Sequence, residues 1–484
     1  AVAGHRSPTG YTRGESTPAY PVTAMNPTRR DALAALAATT VGLRLPLAEA
    51  AEPTLKLSTF TAEVTVPIGH PLMGGGIAPA KEVLDPLFAH GFVLQGAGKP
   101  IVFVAVDWCE IRNGAYDLLR SVIAKALGTE SVRVMMCALH QHDAPVVDVE
   151  AEKLLLEHRA KGSICELDFL TKSMGRVADA AKESLQGAKP VTHIGTAQAK
   201  VEKVASNRRY TDEGGTIRHN RMSATRDPKI RDAEEGTIDP FLKTISFWNG
   251  DTPLLGLSAY ATHPMSYYGK GGVSADFVGM ARKRRQVDTP GTFQMYVSGC
   301  SGNVTAGKYN DGDPGNRPVL ADRMYQAMAA AWKDTKRVPV PEVAFRSVPL
   351  KLEARSSAGF SEEELTKRLT TDPKPFGQCL AALGLSWKKR VDAGTPIDLP
   401  VLDFGNAVIA LLPAEAYVEY QLAAQKLRPD AFVLVAGYGE CGPGYIPIER
   451  AWRENDSNLA DWCWVNPGSE ERMLEAIEKA MKKE

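Results

Sequence analysis

The sequence predicts an α/β fold in which helices flank a mixed sheet. From residue 55 onward, apolar runs of strand length alternate with segments of helical periodicity, which is typical of β-α-β units. Several of these runs end directly in loops that carry histidine, proline or glycine, as strands do where an open α/β sheet holds a site. The length of 484 residues accommodates one large or two fused α/β units, and the apolar content is ordinary for a globular protein.

The predicted elements follow one another along the chain. The first half contains strands at 61–66, 91–94 and 101–107, a helix at 116–127, a strand at 132–139, interrupted helical sequence at 150–185, a strand pair at 191–204 and a long arginine-rich loop at 206–240. The second half contains strands at 253–261, 338–352, 407–412 and 432–436, interrupted helical sequence at 361–391 and a helix at 470–482.

The first 50 residues divide into two predicted segments. Residues 1–24 are rich in Pro, Gly, Ser and Thr, which predicts a disordered segment or a start placed too early, with Met25 as the true first residue. Residues 25–50 place Arg29 and Arg30 before a short apolar stretch and a small-residue cleavage site, the pattern of a twin-arginine export signal. We therefore expect an exported protein, periplasmic or secreted, whose mature chain has no stable membrane span.

Composition excludes several classes of protein. Lys and Arg number 57, as do Asp and Glu, so the net charge is zero and nothing favours a nucleic-acid partner. The seven cysteines contain no CxxC pair, and their odd number argues against a disulfide framework and against zinc held by cysteine. A nucleic-acid partner is therefore not expected, and the motifs described below point to a small-molecule substrate.

Two histidines one residue apart follow the predicted strand at 132–139. His140 and His142 stand in the segment HQHDAP, where Pro145 ends regular structure. Alternate residues of an extended segment point to the same side, so both imidazoles can face one cleft. Because imidazole is a common zinc ligand and the usual acid/base group near neutral pH, the pair predicts a metal site or an acid/base site, unless both rings only pack.

Two further residues of the same kind follow apolar runs. His263 comes after the run at 253–261, and Pro264 fixes the backbone behind it. Glu415 comes after the run at 407–412 and is predicted to lie in a first helical turn, where the helix dipole favours the ionised carboxylate that metals require. The alternatives are a packing histidine and an ordinary first-turn glutamate.

A glycine-rich loop follows the predicted strand at 432–436. Its sequence, GYGECGPGY, lets the backbone pass close to a ligand and places Tyr438, Glu440 and Tyr445 with little steric hindrance. The alternative is a tight connection whose tyrosines only pack.

Taken in order, these motifs resemble the neutral/alkaline ceramidase family, specifically the amidase domain of the zinc-dependent, non-lysosomal ceramidases and their shorter bacterial relatives. The similarity spans most of the chain, through segments 62–69, 71–74, 85–87, 101–107, 140–145, 206–210, 261–264, 274–277, 297–305, 412–415 and 444–447. The resemblance implies a single large catalytic domain at 55–484 of neutral ceramidase type, without the additional C-terminal immunoglobulin-like domain of the full-length enzymes.

The resemblance also implies a set of site residues. His142 would lie beside the metal and move a proton, and Arg208 or Arg209 would steady an oxyanion. Which of the two arginines faces the site is left open. One zinc ion would be coordinated by His140, His263, Glu415 and Tyr445, with an open position for water or a substrate oxygen. This donor set would also accept iron or manganese.

The chain departs from the family pattern at two places. Thr305 stands where the ceramidases have the serine of G-D-V-S-P-N, and it keeps a hydroxyl as a candidate catalytic group. Asp143 and Ala144 replace Ser-Gly in the histidine loop, and Asp143 would bind a substrate hydroxyl, bind a second cation or cap the loop. The candidate substrate-binding residues are Asp143, Arg209 and Asp276.

The sequence therefore favours an exported zinc-dependent hydrolase that cleaves the amide of a ceramide-like N-acyl substrate by metal-activated water. A second interpretation keeps the zinc site and assigns a polar, carbohydrate-derived or ester substrate, which the arginine-rich loop and Asp143 favour. A third interpretation is a non-catalytic protein that binds a metal or a solute.

Overall fold

Three sheets form the framework of the protein in the computed structural model, which describes residues 55–340 and 342–483. The first sheet has the strand order Val134–Ala138, Ile101–Val106, Phe88–Gln95, Lys56–Glu63 and Lys189–Pro190. The second has the order Phe293–Ser298, Thr252–Tyr260, Phe241–Asn249, His193–Lys200 and Lys336–Pro339. The third has the order Ala344–Leu350, Ile397–Asp403, Ala407–Leu411 and Phe432–Ala436.

Short two-stranded ladders and helices complete the described part. The ladders pair Glu82–Val83 with Gly272–Val273, Glu110–Ile111 with Val146–Val147, Ser206–Asn207 with Val304–Thr305, Tyr210–Thr211 with Ile217–Arg218, and Glu415–Ala416 with Tyr445–Ile446. The α-helices are Asn113–Leu127, Val149–Glu157, Leu167–Ser184, Pro228–Asp232, Asp276–Asp288, Asn316–Lys333, Glu362–Thr371, Pro375–Asp392, Val418–Leu427, Glu449–Arg453 and Ser469–Met481.

The first sheet is buried on both faces. Residues 102, 104 and 106 of the strand Ile101–Val106 pack into one apolar core with the helices Asn113–Leu127 and Leu167–Ser184. Residues 101, 103 and 105 pack into a second core, which the second and third sheets share. Two-sided burial explains why this strand is an uninterrupted apolar run in the sequence.

Each of the three sheets contains one parallel pair, and the carboxyl ends of these pairs meet. The amide of Ala138 donates to the carbonyl oxygen of Tyr438 at 2.9 Å, and the amide of Gly437 donates to that of Ser298 at 2.8 Å. These contacts join the ends of the pairs Val134–Ala138 with Ile101–Val106, Thr252–Tyr260 with Phe293–Ser298, and Ala407–Leu411 with Phe432–Ala436. The predicted mixed α/β architecture is confirmed, and the strand ends lie where such sheets carry sites.

The prediction that Glu415 lies in a first helical turn is wrong. Glu415–Ala416 is a short strand parallel to Tyr445–Ile446, and the helix begins at Val418. The amide of Glu415 donates to the carbonyl oxygen of Gly444 at 3.1 Å. Pairing with the glycine-rich loop therefore overrides the local helical pattern, as long-range contacts commonly do.

The predicted strand pair at 191–204 is also wrong, because this segment forms one strand, His193–Lys200. Its antiparallel partners are Phe241–Asn249 on one side and Lys336–Pro339 on the other. The predicted strand at 61–66 begins earlier, at Lys56, and ends at Glu63.

The two predicted amino-terminal segments, 1–24 and 25–50, lie outside the described residues. Within the described part, no helix is both long enough and apolar enough to cross a bilayer. The described residues belong to one compact unit, in agreement with the prediction of a single large domain.

Candidate metal centre

The four predicted metal ligands lie together at the carboxyl ends of the strands. The Oε2 atom of Glu415 lies 3.1 Å from Nε2 of His140 and 3.0 Å from Nε2 of His263. Tyr445 stands beside Glu415 because the two residues pair in register. The imidazoles and the carboxylate are no more than 2 % exposed, so the cluster is shielded from bulk water.

Both predicted histidine ligands are anchored through Nδ1. Nδ1 of His140 lies 3.0 Å from the carbonyl oxygen of Cys109, and Nδ1 of His263 lies 2.6 Å from that of Ser301. A carbonyl oxygen only accepts, so Nδ1 carries the proton in each ring and donates it. A neutral ring of this tautomer presents the lone pair of Nε2 to Glu415, which is the arrangement of a metal-binding histidine.

The electrostatics of the cluster keep Glu415 ionised. Burial opposes ionisation, but His140 and His263 hold the pKa of Glu415 well below its usual range. Burial and the charge of Arg208 lower the pKa of His263 to about 4, so this ring is neutral near pH 7. Burial also opposes protonation of His140, yet the adjacent Glu415 outweighs it and raises the pKa of His140.

Of the two candidate arginines, Arg208 faces the cluster. Its Nη1 donates to the Tyr445 hydroxyl at 2.7 Å and to Oδ1 of Asn458 at 2.8 Å, and its Nη2 lies 3.2 Å from Nε2 of His263. Burial raises the pKa of Tyr445, and the positive charge of Arg208 counteracts this rise. Arg208 is therefore placed to favour a phenolate at Tyr445.

Arg209 points elsewhere, since its Nε and Nη2 donate to the carboxylate of Glu454 at 2.7 and 2.8 Å. The arginines between 206 and 240 also support the local chain. Arg221 is completely buried and donates to the carbonyl oxygens of Asn207 and Glu234. The other three contact an aspartate or main-chain oxygens: Arg218, Arg226 and Arg231. Each of the four thus has a structural contact.

His142 adjoins the cluster. One ring nitrogen from each of His140, His142 and His263 lies within 4.8 Å of the others. Nδ1 of His142 is buried and has no hydrogen-bond partner among the described residues. Burial, followed by the charges of His140 and His263, holds the pKa of His142 well below its usual value. The ring is therefore a neutral base near pH 7.

A second carboxylate, Glu110, lies close to His140 and was missed by the sequence analysis. Its Oε1 lies 4.0 Å from Nδ1 of His140, on the edge of the ring that Cys109 already occupies. The carboxylate accepts from Nη1 of Arg112 at 2.7 Å and from Nε1 of Trp462 at 3.1 Å. Glu110 therefore lies on the Nδ1 side of the His140 ring, whereas Glu415 lies on the Nε2 side, where a metal would bind.

A cavity of about 210 Å³ borders the cluster. Its polar side is formed by His140, His142, Glu415 and Tyr445. Its other side was not predicted and is made by Met73, Cys109, Phe376 and Trp462. Phe376 stacks on Trp462 with ring centres 6.2 Å apart, so this side presents a flat apolar wall.

Three other predicted site residues make structural contacts. The Thr305 hydroxyl donates to the carbonyl oxygen of Met222 at 3.0 Å and accepts from the amide of Gly307 at 3.2 Å. The carboxylate of Asp276 accepts hydrogen bonds from the hydroxyl and the amide of Ser266, and its Oδ2 forms an ion pair with Arg317. The carboxylate of Asp143 accepts from a main-chain amide of the loop at 266–274. Their predicted roles in catalysis or substrate binding stay predictions.

The donor set fits a divalent cation. Two Nε2 lone pairs and a carboxylate oxygen repel one another at 3.0–3.1 Å unless a proton or a cation lies between them. Nε2 of His140 has no hydrogen bond of good geometry among the described residues, although it is buried. Two imidazoles, a carboxylate and a phenol oxygen are ligands that zinc accepts.

Comparison with solved structures identifies the fold. No family model matches the sequence, and the search of curated proteins finds no match. A solved structure of a ceramidase complexed with C2 has a TM-score of 0.67 and 16% identity, covering 89% of this chain and 75% of that chain. The neutral ceramidase of Pseudomonas aeruginosa has a TM-score of 0.64 with the same identity and coverage. The chain therefore has the neutral ceramidase fold, which confirms the resemblance seen in the motifs.

Proposed function

We propose that this chain is an exported, zinc-dependent hydrolase that cleaves the amide bond of a ceramide-like N-acyl substrate. The observation that carries the proposal is the meeting of two Nε2 atoms, from His140 and His263, on one buried oxygen of Glu415. The neutral His142 adjoins this point and lines the same cavity. The ceramidase fold supports amide hydrolysis as the reaction class.

Four side chains of the cluster are the proposed metal ligands. A bound divalent cation supplies Lewis acidity, which lowers the pKa of water and polarises a carbonyl group. The hydrogen bonds from Nδ1 of both rings to main-chain carbonyls fix the tautomers and orient the ligand nitrogens. The assigned ligands are His140, His263, Glu415 and Tyr445.

The remaining groups of the site have separate roles in amide cleavage. His142, neutral near pH 7, accepts the proton of the attacking water and returns it to the nitrogen of the leaving amine. Arg208 carries a fixed positive charge next to Tyr445 and stabilises the negative charge that develops on the carbonyl oxygen. Asn458 holds the guanidinium in this direction.

The cavity favours an apolar acyl group over a polar substrate. Met73, Phe376 and Trp462 offer apolar surface next to the metal ligands. The five arginines of the 206–240 loop after Arg208 have structural contacts, which weakens the argument from this loop for a sugar-derived substrate. An N-acyl amide places its apolar chain on this wall and its carbonyl group on the cluster.

Export is part of the proposal and is supported by the sequence pattern around Arg29 and Arg30. Replacing both arginines by lysine should retain the protein in the cytoplasm of a bacterial host. Fractionation of cells that express the full chain measures this outcome.

The reaction class is tested by product analysis in water enriched in ¹⁸O. Zinc-loaded protein and an N-acyl sphingosine should yield the free amine and a fatty acid that contains one ¹⁸O atom, because hydrolysis adds solvent oxygen to the acyl carbon. The Glu415→Gln variant, prepared in the same way, is the control. Absence of both products with the wild-type protein would contradict the proposed reaction.

A further inference from the structure

His142 differs from its neighbours in how its ring is held. His140 and His263 are each oriented by a bond from Nδ1 to a main-chain carbonyl, but Nδ1 of His142 has no partner among the described residues. Three rings pack around it in T-shaped geometry instead, and the two nearest are those of Tyr268 and His140. The ring of His140 lies 5.3 Å away at 86°, and the ring of Tyr268 lies 4.7 Å away at 77°. Packing against Tyr268 therefore replaces the hydrogen bond that orients the other two histidines.

Tyr268 belongs to a segment that contains glycines in the left-handed region of backbone conformation. The site loop, defined here as residues 266–274, contains Gly269 and Gly271 at φ values of +88° and +90°. A side chain at Gly271 would come within 2.6 Å of the carbonyl oxygen of Pro79, so glycine is required there. Glycines give a backbone wide conformational freedom, and the position of Tyr268 must be set by contacts from outside the loop.

The ladder with Glu82–Val83 holds the end of the loop, and Asp143 and Arg317 supply the contacts next to Tyr268. Oδ1 of Asp143 accepts the amide of Gly269 at 2.8 Å, and its carbonyl oxygen accepts the amide of Ser274 at 3.2 Å. Nη2 of Arg317 donates to the carbonyl oxygen of Tyr267 at 2.7 Å, and its guanidinium lies 3.8 Å from the Tyr267 ring centre. The side chain of Asp143 thus holds the residue next to Tyr268.

We propose that Asp143 is a positioning residue that acts on His142 through the site loop and Tyr268. The inference rests on the proposed function, in which His142 transfers the proton. Asp143 fixes Gly269, Gly269 fixes the adjacent Tyr268, and the ring of Tyr268 sets the tilt of the imidazole. Displacement of a catalytic group by about 1 Å can lower a rate by about 100-fold, so a contact of this kind is sufficient to control turnover.

The anchoring step is tested by limited proteolysis, which does not depend on activity. Lys270 is exposed within the site loop, and trypsin cleavage after it reports local opening of the loop. Asp143→Ala removes a charged acceptor and should accelerate this cleavage by roughly 10- to 100-fold. Asp143→Asn retains an acceptor oxygen and should remain near the wild-type rate. Equal rates for wild type and Asp143→Ala would overturn the anchoring.

A matched control separates anchoring from general destabilisation. Asp148→Ala also removes a fully buried carboxylate, but this one accepts from Asn113, Ala151 and Ser386, remote in sequence from the site loop. Its cleavage after Lys270 should match the wild type. If Asp143→Ala does not fold, Asp143→Ser takes its place in the same comparison.

The link to His142 is tested by a double-mutant cycle on amide hydrolysis. Asp143→Ala and Tyr268→Ala should each lower kcat roughly tenfold or more, with KM and metal content nearly unchanged, and the double variant should be no slower than the slower single variant. If the kcat reductions of the two single variants multiply in the double variant, the proposal is overturned. A wild-type protein that binds metal and hydrolyses no amide would contradict the proposed function, whereas the trypsin comparison would still decide the anchoring.

Discussion

Replacing Glu415 by glutamine is expected to remove the metal and leave the fold intact. Glutamine has nearly the same volume as glutamate, so no cavity forms, and its amide can still donate to one of the facing Nε2 atoms. The variant lacks the negative charge that lies 3.0–3.1 Å from both imidazoles. Changes behind a metal ligand already cost about 10- to 100-fold in affinity. Loss of an anionic ligand should therefore cost more than about 100-fold, or about 2.8 kcal/mol.

Glu110→Gln is the matched control for this experiment, because Glu110 is the other carboxylate near His140. It lies at the Nδ1 edge and accepts from Arg112 and Trp462, contacts that a glutamine oxygen can keep in part. Zinc affinity, measured by competition with a chromophoric chelator, should fall less than about tenfold in this variant, although the free energy of unfolding can drop by about 3 kcal/mol. Wild-type affinity in Glu415→Gln, or an equal loss in both variants, would refute the reasoning.

Three further substitutions test the other groups. His142→Ala should retain the metal and lower kcat by about 100- to 10,000-fold, and an unchanged kcat would reduce this residue to packing. Thr305→Val should lower the free energy of unfolding by about 1–3 kcal/mol with little change in kcat, because its hydroxyl serves main-chain groups; a kcat loss above about 100-fold would make it catalytic. Arg209→Ala removes a partly exposed pair with Glu454 and should change stability by less than about 1 kcal/mol, with kcat unchanged; a large rise in KM would place it on the substrate.

Local sequence predicted the strand exits because their physical cause is local. A strand buried on both faces is an uninterrupted apolar run, and the first few polar residues after it mark the end of the strand. His140 and His263 were found in this way. The same rule could have found Glu110, which follows the strand Ile101–Val106 after only three residues.

Contacts between distant segments were beyond local reasoning. The conformation at Glu415 depends on Gly444 and Tyr445, about 30 residues later, and so its helical assignment failed. Trp462 contacts Glu110 across 352 residues of sequence and closes the cavity with Phe376, yet no pattern around either aromatic residue marks it. Such pairings are decided by the tertiary fold.

The central claim is a catalytic metal held by the four residues that meet at the strand ends, and metal content measured together with turnover tests it most directly. Purified protein should contain one zinc ion per chain by elemental mass spectrometry. Its hydrolysis of a fluorogenic ceramide should disappear on chelation and return when zinc is added. Protein without bound metal, or hydrolysis that continues unchanged after complete chelation, would contradict the account.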